Sequence, residues 1–381
     1  MTSDEVTLGF LLERTVFLFG AGASVDAGCL TSKQMLTELR SEIQGATAAG
    51  GPKEFPLIYD FVLQSLAYQI ALKGDLNSSL SASSNIEDFV AVIRQMLDRE
   101  YIVPPPLVGN WNAKITSWEL RNESVFADFL AFAYDKLVTK WTAFDTSKAQ
   151  ALLAPIQQLI QAPESFALSI FSLNYDLIFE KVFNTDQEHL VDLGFSKKRW
   201  SGDFENPESP AKIKLYKLHG SVDWYFDGSD EEVKEDVPEG ARPLLVFGSG
   251  PKVQSYDPFL SLLSSFREKL KAGSLYVVVG YSFQDKYINN ILIQNLNSGV
   301  NKKMLVVDPY GDEDAMTFIR RIEKNQTLKS MNELVNLTKI SPARVEILKV
   351  TASDFFKTYL SDGAAALKKK LAAVEEGEQV F

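Results

Sequence analysis

The chain has 381 residues, 45% of them hydrophobic and 23% charged, the balance of a globular protein with core enough for one large domain or two ordinary ones. A net charge of −11 repels phosphate backbones and disfavours direct nucleic-acid binding. One cysteine, Cys29, excludes an internal disulfide, and with only His189 and His219 beside it the chain is short of the Cys and His side chains on which four-ligand structural zinc sites mainly draw.

In chain order, Met1–Glu13 is acidic and does not read as a secretory signal, and no apolar run approaches the ~20 residues that span a bilayer. A soluble, cytoplasmic protein is expected. Thr15–Phe19 (TVFLF) reads as the first strand. From Thr31 to Pro163 little reads as strand. Asn85 is a candidate N-cap for Ile86–Arg99, in which Phe89, Ile93, Met96 and Leu97 share a face. Glu123–Trp141 repeats that spacing with Phe126, Leu130, Ala133, Leu137 and Trp141, and Ala149–Ile160 reads as a third helix. Gly45–Pro56, Asn77–Ser84 and Pro104–Pro106 read as loops.

Apolar runs then recur at Phe166–Leu173, Ile213–Leu218, Leu244–Phe247, Leu275–Val279, Met304–Val307 and Val345–Val350. Nearly continuous β-branched and aromatic runs are the pattern of strands buried on both faces of a parallel sheet. Helical patterns at Tyr175–Phe183, Pro258–Leu270, Asp285–Leu296 and Glu313–Glu323 alternate with them. The sequence thus predicts an α/β fold, a doubly wound and mainly parallel sheet over 1–30 and 164–360, with a helical insertion over 31–163 and a tail over 361–381. Ser196–Ala211 and Ser229–Gly240 are polar and read as surface loop, and Ala364–Glu378 reads as an exposed terminal helix.

Chemistry-bearing residues fall at the strand ends. The first strand runs into Gly20-Ala21-Gly22-Ala23-Ser24 and on to Gly28, a run that permits a tight turn and close approach to a pyrophosphate. Val25 stands where the G-x-G-x-x-G fingerprint needs its third glycine, so a plain turn explains the run equally well. Asn174-Tyr175-Asp176 follows the second strand; Asp176 can cap the next helix, whereas Asn174 has no such local role. His219-Gly220 follows Ile213–Leu218, where a histidine can act as a general base or be held in a loop by a hydrogen bond.

Together these motifs resemble the sirtuin superfamily: Gly20-Ala21-Gly22-Ala23-Ser24 with Gly28, then Ser172-Leu173-Asn174-Tyr175-Asp176, then Leu218-His219-Gly220. Gly280-Tyr281-Ser282-Phe283 and Val307-Asp308 look like the family's later nucleotide-holding strand ends. Asn174–Glu180 and Gly280–Phe283 are most similar to bacterial sirtuin-like NAD hydrolases of anti-phage defence, and a chain of this length resembles the partner of a HerA-type hexameric ATPase. Leu30, Thr31, Ser32 and Lys33 depart from the deacylase motif, and the chain cannot build that family's four-cysteine zinc ribbon.

The resemblance implies NAD as substrate, no metal, and release of nicotinamide and ADP-ribose. It implies that Gly20, Ala21, Gly22, Ala23, Ser24 and Gly28 hold the pyrophosphate and neighbouring ribose, while Gly280, Ser282 and Asp308 hold the adenosine half. Asn174 would orient a water or ribose hydroxyl, Asp176 would bind the carboxamide or order that region, and His219 would be the base. Homo-oligomerisation is also implied, with Phe10–Leu12, Trp111, Trp118 and Trp141 as candidate contacts that core packing explains equally well. A protein deacylase and a non-catalytic NAD or ADP-ribose-binding scaffold are the alternatives.

Overall fold

The computed structural model describes residues 6–72, 85–97, 117, 124–162, 166–185, 188–204, 209–247, 257–326 and 340–376. The loops expected at Asn77–Ser84 and Pro104–Pro106, with Trp111 and Trp118, lie outside them. The chain divides into two compact units: Met1–Cys29, Phe144–Leu245 and Val253–Phe381 form one, and Leu30–Ala143 with Val246–Lys252 the other.

The first unit begins with α1 (Leu8–Arg14), capped by the Thr7 hydroxyl, and β1 (Thr15–Phe19). Among the described residues of the second unit, α2 (Ser32–Ala48), α3 (Phe55–Leu72), α4 (Ile86–Leu97) and α5 (Val125–Lys136) intervene. The first unit resumes with α6 (Thr146–Ile160), β2 (Leu168–Ser172), α7 (Ile178–Phe183), β3 (Val191–Asp192), β4 (Phe195–Ser196), β5 (Arg199–Trp200) and β6 (Ile213–Lys217). Then come β7 (Trp224–Asp227), β8 (Glu232–Glu235), α8 (Phe259–Ala272), β9 (Leu275–Val279), α9 (Lys286–Asn297) and β10 (Lys303–Val307). It closes with α10 (Ala315–Gln326), β11 (Val345–Leu348), α11 (Ala352–Tyr359) and α12 (Ala365–Glu375).

Seven strands form one sheet in the order β11-β10-β9-β1-β2-β6-β3, and every pairing in it is parallel. β1 and β9 are buried along their whole length, as near-continuous apolar runs require. Helices cover both faces. Phe19 packs against Phe179 of α7 and Phe356 of α11, while Phe171, aligned with Leu18 and so on the opposite face, packs against Phe266 of α8. The expected doubly wound parallel sheet is the architecture of this unit.

Four details differ from the sequence reading. Leu244–Phe247 forms no strand among the described residues: Leu245 makes one isolated bridge to Gly220, and Leu245, Val246 and Phe247 are buried. The polar stretches 196–211 and 229–240 instead contribute to an antiparallel sheet, β4-β5-β8-β7, whose Phe195, Trp200 and Trp224 rings pack together. Strands of two to four residues are too short to show alternation. Gly45–Pro56 is partly helical, because α2 runs to Ala48 and α3 takes Pro56 into its first turn. The terminal helix is not exposed: α12 buries Leu367, Leu371 and Ala372 and packs on α1 and α11.

The second unit has its own aromatic core. Phe129 of α5 contacts Phe55 of α3 at 5.0 Å and Phe89 of α4 at 5.9 Å. Thr31, at the departure from the deacylase motif, starts α2 with a capping box to Gln34. α5 passes into a π-helical turn, Leu137–Trp141, with Trp141 buried. Phe10 is half-buried, and Leu11 and Leu12 are buried in the first unit's core.

Candidate active site

Because its strands run parallel, the sheet gathers all its carboxyl ends on one edge. From β1 the chain moves to β2 and β6 on one side, then to β9, β10 and β11 on the other. The switch point of the fold is therefore at β1/β9, where open α/β sheets place ligands.

At that point the backbone is close-packed. Gly20 N donates to Val279 O at 3.0 Å and Gly22 N to Gly280 O at 2.8 Å. A Cβ on Gly22 would lie 2.7 Å from Gly280 Cα, and one on Gly280, at φ 62°, would lie 2.3 Å from Ala23 N. These glycines let two loops touch without side chains between them. Ala21–Ala27 then forms a 3-10 turn that ends at Gly28 in the left-handed region, with Ala23 and Ser24 buried and Val25 exposed. Asp26 accepts a hydrogen bond from Ser353 N, tying this turn to α11.

One strand away, side chains make the connections. Asn174 Nδ2 donates to Gly20 O and to Ser24 Oγ, both at 3.0 Å. Ser24 Oγ donates to Asp176 Oδ2 at 2.7 Å, and Asp176 Oδ1 accepts from Ile178 N at the start of α7. α7 starts only at Ile178, shorter than the expected Tyr175–Phe183; its N-cap is Leu177, and Asp176 bonds Ile178 N from one residue before the cap position. Asn174 Oδ1 is buried with no hydrogen-bond partner. Leaving such an acceptor unpaired costs about 1–3 kcal/mol. Ser24, Asn174, Asp176, Glu180 and Lys217 line a cavity of about 10 Å3, room for one water molecule.

Lys217, the last residue of β6, is 1% exposed. Its ammonium donates to Asp176 O at 2.6 Å, Glu180 Oε1 at 2.8 Å and Ser221 Oγ at 2.6 Å, which satisfies all three of its protons. Burial pushes the Glu180 carboxyl up to about 7 against the opposing pull of Lys217. Glu235 is raised to about 7 as well, by burial and then by Asp223. Burial, with the Asp176 charge, also pushes the Cys29 thiol well up, so it is a core residue and not a nucleophile.

His219 stands at the same register position as Asn174. Ser172 of β2 pairs with Lys217 of β6, and each candidate lies two residues beyond its member of that pair. The His219 ring is 5% exposed, stacks on Tyr175 at 6.4 Å, and sets Nε2 3.0 Å from Asp285 Oδ2. Gly220, at φ 80°, is required here, since a Cβ would lie 2.1 Å from Leu244 O. His219 does not line the small Asn174 cavity. His189 is exposed on a separate bridge to Asn184.

The remaining candidates are peripheral to this cluster. Ser282 is exposed, with its carbonyl accepting from Arg321, and Asp308 Oδ1 accepts from Tyr310 N in its own turn. Sequence reasoning passed over Lys217, Glu180 and Asp285. The available signals were a lysine closing an apolar strand and an acid at a helix start, which reads first as a cap.

Residues 168–332 match the family model of the SIR2-like domain. That segment holds Asn174, His219, Gly280 and Asp308. The chain is also similar to a crystal structure of a SIR2 homolog–NAD complex, at 12% identity and a TM-score of 0.41, covering 96% of this chain and 93% of that one. A structure of Sir2 with the inhibitor EX-527, 2'-O-acetyl-ADP-ribose and a deacetylated p53 peptide matches at 12% identity and 0.39, covering 92% and 94%. No curated protein matches. Among the described residues no group of three or more His, Cys, Asp or Glu side chains could hold a metal ion, and no helix is long and apolar enough to cross a membrane.

Proposed function

We propose that this chain is an NAD hydrolase that cleaves the nicotinamide–ribose bond at the carboxyl edge of its parallel sheet. The observation that carries the reading is the pairing of Asn174, with its unsatisfied Oδ1, and His219 at matched positions on adjacent strands. An amide oxygen without a donor is an acceptor for a water or ribose hydroxyl, and the neighbouring imidazole can take that hydroxyl's proton.

In the proposed step a water oxygen bonds to C1' of the nicotinamide ribose while the C1'–N bond breaks. The bonding pair leaves with the ring, so the pyridinium departs as neutral nicotinamide and needs no proton. Asn174 Oδ1 orients the water and His219 accepts its proton, giving ADP-ribose. Gly20, Ala21, Gly22, Ala23, Ser24 and Gly28 form the pyrophosphate side, and Gly280, Ser282 and Asp308 the adenosine side. Asp176 orders the Ser24–Asn174 corner through its two carboxylate hydrogen bonds. The one-water cavity at Asn174 is too small for the nicotinamide ribose, so the proposed step needs that corner to open.

The biological reading that accompanies this chemistry is NAD depletion in cytoplasmic anti-phage defence, in a homo-oligomer paired with a HerA-type ATPase. It rests on the motif resemblance alone. The test is to incubate the purified chain with NAD, with and without that ATPase and an acetyl-lysine peptide, and to separate the products by chromatography. Nicotinamide and ADP-ribose formed one-for-one without peptide is the expected result. Product only with peptide, as acetyl-ADP-ribose, establishes the deacylase instead; intact NAD in every arm, with NAD or ADP-ribose bound, leaves the scaffold.

A further inference from the structure

The loop that follows β9 carries more internal bonding than a loop needs for a turn. Phe283 is held at φ 57°, in the left-handed region that a bulky side chain avoids, yet it is buried between Tyr281 and Phe318. The Tyr281 hydroxyl reaches Asp285 O at 3.1 Å and Asn289 Oδ1 at 2.9 Å, and Asn289 Nδ2 returns to Phe283 O at 2.8 Å. This bracing fixes Asp285, which is 6% exposed. One carboxylate oxygen of Asp285 accepts from Tyr287 N and Ile288 N and caps α9; the other faces His219 Nε2.

Capping uses only Oδ1. The second oxygen has a buried imidazole 66 residues away in sequence as its partner, and that partner sits at the end of a different strand. A carboxylate can only accept, so Nε2 must carry the hydrogen, and the basic lone pair is left on Nδ1. We propose that Asp285 is a positioning residue: it fixes His219 as the Nε2–H tautomer and aims Nδ1 as the base of the hydrolysis. This rests on the hydrolase reading above. Asp285 touches no substrate atom; it acts through His219, while the Tyr175 ring limits rotation of the imidazole.

The test combines a spectrum with kinetics. With only two histidines in the chain, ring nitrogens of 15N-histidine-labelled protein can be assigned by comparison with His189→Gln. At alkaline pH His219 is expected as the Nε2–H tautomer. In Asp285→Asn the amide oxygen still caps α9, but the amide nitrogen faces Nε2 and moves the hydrogen to Nδ1. That variant is expected to keep its melting temperature while kcat for NAD falls by about 10²–10⁴-fold at a nearly unchanged KM.

A wild-type His219 with hydrogen on Nδ1, or a folded Asp285→Asn enzyme with wild-type kcat, overturns the proposal. Should Asp285→Asn fail to fold, the wild-type tautomer decides. Intact NAD in every arm of the assay described above, with the ATPase present as well as absent, refutes the hydrolase reading instead, and the tautomer still upholds or overturns the pairing.

Discussion

On the β2–β6 side of the carboxyl edge the loops are joined by side chains; on the β1–β9 side they are joined by backbone. Asn174, Ser24, Asp176, Lys217 and Glu180 form one buried hydrogen-bonded series, with His219 and Asp285 beside it. Gly20, Gly22 and Gly280 meet atom to atom with no side chain between them. The contrast separates two jobs. A backbone platform without side chains allows close approach, which suits a charged, featureless chain of phosphates. Fixed amide and imidazole groups suit a reacting carbon, where position and proton inventory matter.

Four changes break or sharpen that contrast. The largest effect falls on the side-chain half: Asn174→Ala or His219→Ala is expected to lower NAD turnover by about 10²–10⁴-fold in steady-state assays, with circular dichroism unchanged. Lys217→Met acts in the same half on stability. It leaves Glu180, Asp176 O and Ser221 without their donor, for an expected loss of about 3–5 kcal/mol in denaturant melts. On the backbone half, Gly280→Ala forces both a clash and a positive φ, for an expected loss of about 3–4 kcal/mol. Gly50→Ala, also at positive φ but with open space around it, serves as the control and is expected to cost less. The smallest effect belongs to Ser282→Ala and Asp308→Ala, expected to raise KM for NAD by about threefold to tenfold at constant kcat.

A pH experiment isolates Glu180. Its carboxyl rises from 4.5 to about 7 on folding, so the folded chain keeps a proton that the unfolded chain has released between those values. The stabilisation is complete below 4.5 and is lost as pH rises through about 7. Melting temperature is therefore expected to fall across that window, and Glu180→Gln to flatten the decline. An unchanged slope in the variant would assign the effect to Glu235 instead, whose carboxyl is raised to the same region.

The long apolar runs made the parallel sheet readable, because strands buried on both faces carry no polar interruption; β1 and β9 begin and end where the pattern does. The small antiparallel sheet was not readable, since β4 and β5 are two residues each and are held by rings distant in sequence. The candidate site was legible at its strand ends, where Asn174 and His219 interrupt apolar runs. What joins them was not: Lys217 read as one residue of the Ile213–Leu218 run and Asp285 as the first residue of a helical pattern, and only their partners in space reveal the second role. The glycines were legible as a turn, but their contact with one another depends on β1 and β9 being neighbours, which local sequence does not encode.

The most direct measurement of the central claim is the turnover of the doubly substituted chain, Asn174→Ala with His219→Ala, beside each single variant. If both groups act on one sugar carbon in one step, their losses are strongly non-additive, and the double variant is expected to be about as slow as the slower single. Losses that multiply, or a double variant that still releases nicotinamide at the wild-type rate, would contradict the account.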